Sequence, residues 1–244
     1  MNILSIGNSF SCDAQRYLHG IAAADGYALN CFNLYIGGCS LAAHFRNLHS
    51  DRPAYTLEMN GVSTGFPVSI KEALLNREWD VVTLQQASHD SCNYETYQPY
   101  LSVLADAVRT YAPHARLVIH QTWAYEDGSE RLHLKMGYGS ADEMRRDAVA
   151  CYTRAARECN ADLTIPSGEL FGDLLAAGIE RIHRDTYHAS RGLGRYALGL
   201  LWYAVLTGRS VIGNRFSAFD EEIPAEEIAI AQKAVEARAA QVNA

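Results

Sequence analysis

Five short apolar runs recur along the chain: Asn2–Ile6, Leu29–Ile36, Val81–Gln85, Arg116–His120 and Asp162–Ile165. Each is bounded by turn-forming residues and is too short for a stable helix, which predicts buried strands. Between them, apolar positions return with helical periodicity. This predicts helices over Asp13–Ala24, closed by Asp25-Gly26, and over Leu41–Leu48, Ser69–Asn76, Tyr94–Tyr111, Asp142–Cys159 and Ser167–Ala176, the last with Ser167 as its N-cap. Gly192–Thr207 reads as an apolar helix. Pro224–Val242 reads as an amphipathic terminal helix whose Glu-rich first turn suits the macrodipole. Strands alternating with helices predict an α/β doubly wound fold, a three-layer α/β/α sandwich around a sheet of about five parallel strands.

Two stretches break the alternation. Residues 52–67 carry proline at both ends and an Asn60-Gly61 dipeptide, which predicts a small hairpin inserted on the rim. Residues 124–139 form a polar, glycine-bearing loop of the kind that carries function or a lid. No internal repeat or linker composition is present, so residues 1–244 read as a single domain.

Charge and cysteine usage narrow the function classes. The chain of 244 residues is long enough for a substantial core, and its formal charge of −7, with no basic run, excludes a nucleic-acid partner. No stretch reaches the length of a membrane span, so no membrane partner is expected. The N-terminus enters a strand directly, without a basic and then apolar leader, and the expected location is the cytoplasm. The six cysteines (Cys12, Cys31, Cys39, Cys92, Cys151 and Cys159) form no C-x-x-C pair and read as reduced, small buried residues. No histidine–acid spacing suggests a metal, and no cofactor motif is present, so neither is expected.

In doubly wound sheets, ligands gather at the carboxyl ends of the strands. The first strand ends in Gly7-Asn8-Ser9, where a tight turn hands over to a helix. The second ends in Gly37-Gly38, whose backbone can expose N–H groups. The third ends in Gln85-Gln86-Ala87-Ser88-His89-Asp90 and the fourth in His120-Gln121-Thr122-Trp123. Past the fifth lies an irregular segment, Ile179–Ser190, holding Asp185-Thr186-Tyr187-His188. A hydroxyl, an imidazole, a carboxylate and neutral donors are the parts of acyl transfer. Taken singly, each also has a plain reading: Ser9 or Ser11 as an N-cap, and Asp185 with His188 as a local turn.

The ordered blocks Gly-Asn-Ser, Gly-Gly-Cys-Ser, Gln-Gln-Ala-Ser and Asp-x-x-His resemble the SGNH (GDSL-like) hydrolase superfamily along essentially the whole chain. The resemblance implies a flavodoxin-like SGNH fold with Ser9 as nucleophile, His188 as base and Asp185 as the residue that orients it. It implies an oxyanion hole from the N–H groups of Ser9 and Gly38. The chain departs from the pattern twice. Asn8 stands where aspartate is usual, and the third block lacks the usual asparagine. Gln86, a neutral amide donor as in the carbohydrate-esterase branches, is the preferred substitute, and His89 holds the ungapped position. His89 is then expected to line the pocket. Trp123 is expected to share a sugar-stacking wall with Tyr125 and Tyr138, or else to pack under the loop. The implied activity is hydrolysis of small acyl esters, acetyl above all, on a small molecule or oligosaccharide. The alternatives are a lipase or thioesterase for longer acyl chains, and a non-catalytic carbohydrate-binding protein on the same scaffold.

Overall fold

The five apolar runs pair side by side as parallel strands. In the computed structural model, which describes residues 1–242, these are β1 (Asn2–Gly7), β2 (Asn30–Tyr35), β5 (Val81–Leu84), β6 (Arg116–Gln121) and β7 (Leu163–Pro166). The 52–67 hairpin is also present, as β3 (Tyr55–Met59) and β4 (Val62–Val68). Its Asn60-Gly61 turn has both residues at positive φ, 51° and 78°, the geometry that matches strand twist. The hairpin does not sit apart on the rim. β3 pairs antiparallel with β2, and the sheet becomes seven-stranded in the order β4-β3-β2-β1-β5-β6-β7.

Both faces of the parallel strands are covered, which is why they read as continuous apolar runs rather than alternating ones. Ile3, Val81, Val118 and Ile165 face a core under α1 (Ser9–Gln15), α2 (Leu18–Ala24), α7 (Ser167–Ala176) and α8 (Leu193–Thr207). Leu4, Ile6, Val82, Leu84, Leu117 and Ile119 face the opposite core. That core lies under α3 (Leu41–Ser50), α4 (Ile70–Leu75), α5 (Tyr100–Tyr111) and α6 (Ala141–Glu158). The helix α8 is apolar all round because α9 (Ala225–Val242) packs on its outer side. No helix among the described residues is long and apolar enough to cross a membrane.

Four local expectations are corrected. The 13–24 helix is two helices, broken at Arg16 and Tyr17, and the first begins at Ser9 because Asn8 caps it. The 94–111 helix is interrupted by Pro99, which has no N–H to donate. A 3-10 turn at Tyr94–Thr96 precedes α5. Ser167 is the first residue of α7 rather than its cap. The 124–139 loop holds a π-helical turn, Arg131–Lys135.

Two histidines, His44 and His120, are fully buried in this framework, and a third, His183, is partly buried. Burial pushes His44 and His120 down to about 3, and His183 down to about 4. The unfolded chain therefore binds protons near the ordinary histidine value of 6.5 that the folded chain refuses. Stability is complete above that value and is lost as pH falls from 6.5 towards about 3. Each group adds up to about 1.4 kcal/mol per pH unit inside its window. The melting temperature is expected to fall steadily from pH 6.5 to pH 5, before most carboxylates titrate. A flat profile over that interval, measured by circular dichroism, contradicts the assignment.

Candidate active site

The turn after β1 is built by contacts that leave little choice of residue. A Cβ on Gly7 would stand 2.0 Å from Ser11 Oγ, so only glycine fits. Asn8 then caps α1. Its Oδ1 accepts from the Phe10 N–H, while its own N–H donates to Ser11 Oγ. The cap is thus Asn8 with Ser11, and Ser9 is left free at the first helical position, half-buried. Asn8 also explains its own departure from the superfamily pattern. Its Nδ2 donates to the Cys39 carbonyl at 3.1 Å, a bond aspartate cannot make, and its Oδ1 accepts from Gln85 Nε2 at 2.7 Å. One amide therefore ties the Ser9 turn to the Gly37-Gly38 loop and to the end of β5. Since β1 lies between β2 and β5, this is the point where the strand order reverses.

His188 Nε2 lies 2.8 Å from Ser9 Oγ, and His188 Nδ1 lies 2.8 Å from Asp185 Oδ2. Because the carboxylate can only accept, Nδ1 carries the proton and Nε2 is left to accept from the Ser9 hydroxyl. Asp185 Oδ1 also accepts from the His188 backbone N–H at 2.9 Å, so the local-turn reading and the imidazole-orienting reading hold together. Burial raises the Asp185 carboxyl. The hydrogen bonds from His188 and the neighbouring Arg184 charge outweigh it and hold the group below its ordinary value. Between the two residues Thr186 sits at φ 72°, a left-handed conformation that a β-branched side chain adopts only under strain.

A buried ion cluster anchors this loop. Asp13, one turn beyond Ser9 on α1, is fully buried and accepts from Arg184 Nη1 through both oxygens at 2.9 Å and from Arg195 Nε at 2.8 Å. Arg184 also donates to the Ala189 carbonyl, and its backbone N–H donates to the His188 carbonyl. The helix that presents Ser9 therefore holds the segment that presents Asp185 and His188.

The comparisons with known proteins agree with this frame. A family model described as a domain of unknown function, DUF4886, matches residues 2–238. The chain belongs to the DUF4886 family. The crystal structure of a DUF4886 family protein from Bacteroides uniformis is similar at a TM-score of 0.91 and 32% identity, over 97% of this chain and 93% of that one. A protein from Slackia heliotrinireducens, assigned to the SGNH hydrolases, is similar at a TM-score of 0.59 and 25% identity, over 82% of this chain and 95% of that one. A GDSL-like lipase structure from Parabacteroides merdae shares the fold at a TM-score of 0.53 and 18% identity, over 85% of this chain and 95% of that one. No curated protein matches the sequence. This DUF4886 chain has the SGNH hydrolase fold, and its likeness to the Slackia protein supports a hydrolase of that superfamily.

Within the DUF4886 site, Gly38 has φ 63° and is exposed. Its N–H and that of Ser9 are bonded to no acceptor among the described residues. Gln86 is a correction. Its Oε1 accepts from the Leu41 and Ala87 N–H groups, both at 2.9 Å, and its Nε2 donates to the Thr96 carbonyl and hydroxyl, both at 3.0 Å. The amide caps α3 from the inside and has no donor left for an oxyanion. His89 is mostly exposed, with Nε2 3.7 Å from Asp90, and takes no part in the Ser9–His188 geometry. Of the two readings of Trp123, packing under the loop holds and the sugar-stacking wall does not. It is 1% exposed, stacks on Phe10 at 4.2 Å and Phe171 at 4.7 Å, and donates to the Tyr187 carbonyl. It packs beneath the loop and supports the helix carrying Ser9, without a free face for a sugar. Tyr125 is buried as well, and Tyr138 donates to Asp147.

The roles of several further residues were not legible in the sequence. Gln85 Oε1 accepts from His120 Nδ1, and His120 Nε2 meets Ser167 Oγ at 3.1 Å, forming a buried polar ladder across three strand ends. Asp13 and Arg184 have no motif that marks them. Tyr187, inside the Asp-x-x-His block, is half-exposed with its ring 3.9 Å from that of His188. Its position beside the histidine is the one signal that was available. No cluster of residues suited to a metal occurs among the described residues.

Proposed function

We propose that this hydrolase is a serine esterase for short acyl esters, acetyl above all, working through an acyl-enzyme. The observation that carries the reading is the continuous hydrogen-bond series from Asp185 through His188 to Ser9 Oγ. Ser9 attacks the ester carbonyl while His188 Nε2 takes its proton. The N–H groups of Ser9 and Gly38 receive the oxyanion, and Asp185 stabilises the imidazolium. His188 then protonates the departing alkoxide, and water reverses the sequence to release the acid. For the alcohol side, a carbohydrate loses the two residues on which the expectation rested, since Gln86 and Trp123 face inward. What supports a polar alcohol is the rim, where Tyr35, Arg131 and Tyr187 are half-exposed.

A serine-directed fluorophosphonate is expected to add one phosphonyl group, mapped to Ser9 by peptide mass spectrometry, and His188→Ala should slow that labelling at least about 10²-fold. p-Nitrophenyl acetate should give a burst near one equivalent. Labelling at another residue, or labelling insensitive to His188, contradicts the mechanism. Rates that climb with acyl chain length favour a lipase instead.

A further inference from the structure

The π-helical turn places Arg131 against the candidate active site. Its guanidinium carbon lies 4.0 Å from the centre of the Tyr187 ring and 6.0 Å from that of Tyr125. The Tyr187 ring in turn lies 3.9 Å from the His188 imidazole, so a single ring separates the guanidinium from the proposed base. The turn is not free to wander. The Glu126 N–H donates to the Thr186 carbonyl at 2.7 Å, the Trp123 indole to the Tyr187 carbonyl at 2.8 Å, and His183 Nε2 meets the Ala124 carbonyl at 3.0 Å. These bonds couple the start of the 124–139 loop to the 183–188 segment.

The guanidinium edge is unoccupied. Among the described residues no carboxylate lies within 4.0 Å of it, and its N–H groups reach no acceptor. The contrast is with Arg184 and Arg195, which are both held by the buried Asp13. Stacking on a tyrosine face fixes the plane of a guanidinium and leaves its coplanar donors free, the arrangement that receives a carboxylate or phosphate in two parallel bonds. Arg131 is half-buried, so those donors act in a medium less screened than bulk water.

We propose that Arg131 recognises an anionic substituent, a carboxylate or phosphate carried by the ester substrate, and so sets the substrate class of the site. This rests on the serine-esterase reading for the reaction, though not for the binding. The kinetic test compares 4-acetoxybenzoate and 4-acetoxyphenyl phosphate with neutral 4-acetoxybenzamide. The wild-type protein is expected to favour one anionic ester over the amide in kcat/KM. Arg131→Gln should reduce that preference about tenfold, and Arg131→Lys should restore part of it. The preference should also shrink as salt rises from low to physiological strength. Equal losses on charged and neutral esters mean a merely structural stacking role and overturn the proposal.

A second measurement is independent of turnover. 4-Hydroxybenzoate and phenyl phosphate are titrated into the wild-type protein and Arg131→Gln by NMR. Binding weakened about tenfold in the variant supports the proposal, and the tighter of the two anions identifies the substituent. Equal binding, or none to the wild type, overturns it. If the anion binds through Arg131 and no ester is cleaved, the esterase reading fails while the recognition stands.

Discussion

Ser9→Ala is expected to lower kcat/KM for p-nitrophenyl acetate by about 10⁴-fold or more, with the fold unchanged. The side chain is half-buried at the first position of α1, and its hydroxyl bonds only towards His188, so its removal opens no core cavity. The cap survives because Asn8 and Ser11 make it. His188→Ala is expected to cost a similar factor, and the double variant little more than either single one, since the two residues work as a unit. Asp185→Asn should cost less than either. Its carboxylate is 46% exposed, where water screens its charge, although an amide in its place disturbs the tautomer that His188 needs. Steady-state rates on the three variants, with circular dichroism as the folding control, check the order. Near-normal turnover by Ser9→Ala would falsify the acyl-enzyme route.

Asp13→Ala is expected to destabilise the protein by about 3–5 kcal/mol, the range for breaking a buried ion pair from one side. Asp13 is fully buried, and Arg184 and Arg195 converge on it with side chains only 23% and 14% exposed. Removing the carboxylate leaves two cations partly desolvated. Arg195 keeps Asp220 at 2.7 Å, whereas Arg184 is left with the Ala189 carbonyl and a single carboxylate among the described residues, Asp185, at 3.9 Å. The loss should therefore reach the site as well as the fold. Arg184 adjoins Asp185 and helps hold a segment already strained at Thr186. Urea denaturation measures the first effect, and turnover of the folded fraction measures the second. A change under about 1 kcal/mol, the range of a surface pair, shows that the cluster is solvated after all.

The elements were legible because their causes are local. Short apolar runs, period-3.6 patterning, Asn60-Gly61 and the strand-end glycines act through neighbours in sequence, and they correctly mark the five parallel strands and the hairpin. Breaks with distant partners were not legible. The division between α1 and α2 falls at Arg16 and Tyr17, where Arg16 pairs with Asp220 and Tyr17 accepts from the Asp220 N–H, some two hundred residues away.

The candidate site divides along the same line. Ser9, Gly38, Asp185 and His188 were candidates because acyl transfer uses those residue types, their order resembles that of the SGNH hydrolases, and a doubly wound sheet brings its strand ends together. The convergence of Ser9, His188 and Asp185 at 2.8 Å is a tertiary fact, as are the reversal at Gln86 and the choice between the two readings of Trp123. Side chains at a strand end point towards the site or into the core according to what the neighbouring elements leave unpaired. Leu41 and Thr96 claimed the Gln86 amide, and Phe10 and Phe171 claimed the Trp123 ring. The sequence alone determined the fold class, which follows from local pattern, and it supplied the reactive residues as candidates through their chemistry and their resemblance to the SGNH hydrolases. Only the tertiary structure decided which polar groups remain free beside Ser9, because that depends on hydrogen bonds and packing between elements far apart in the chain.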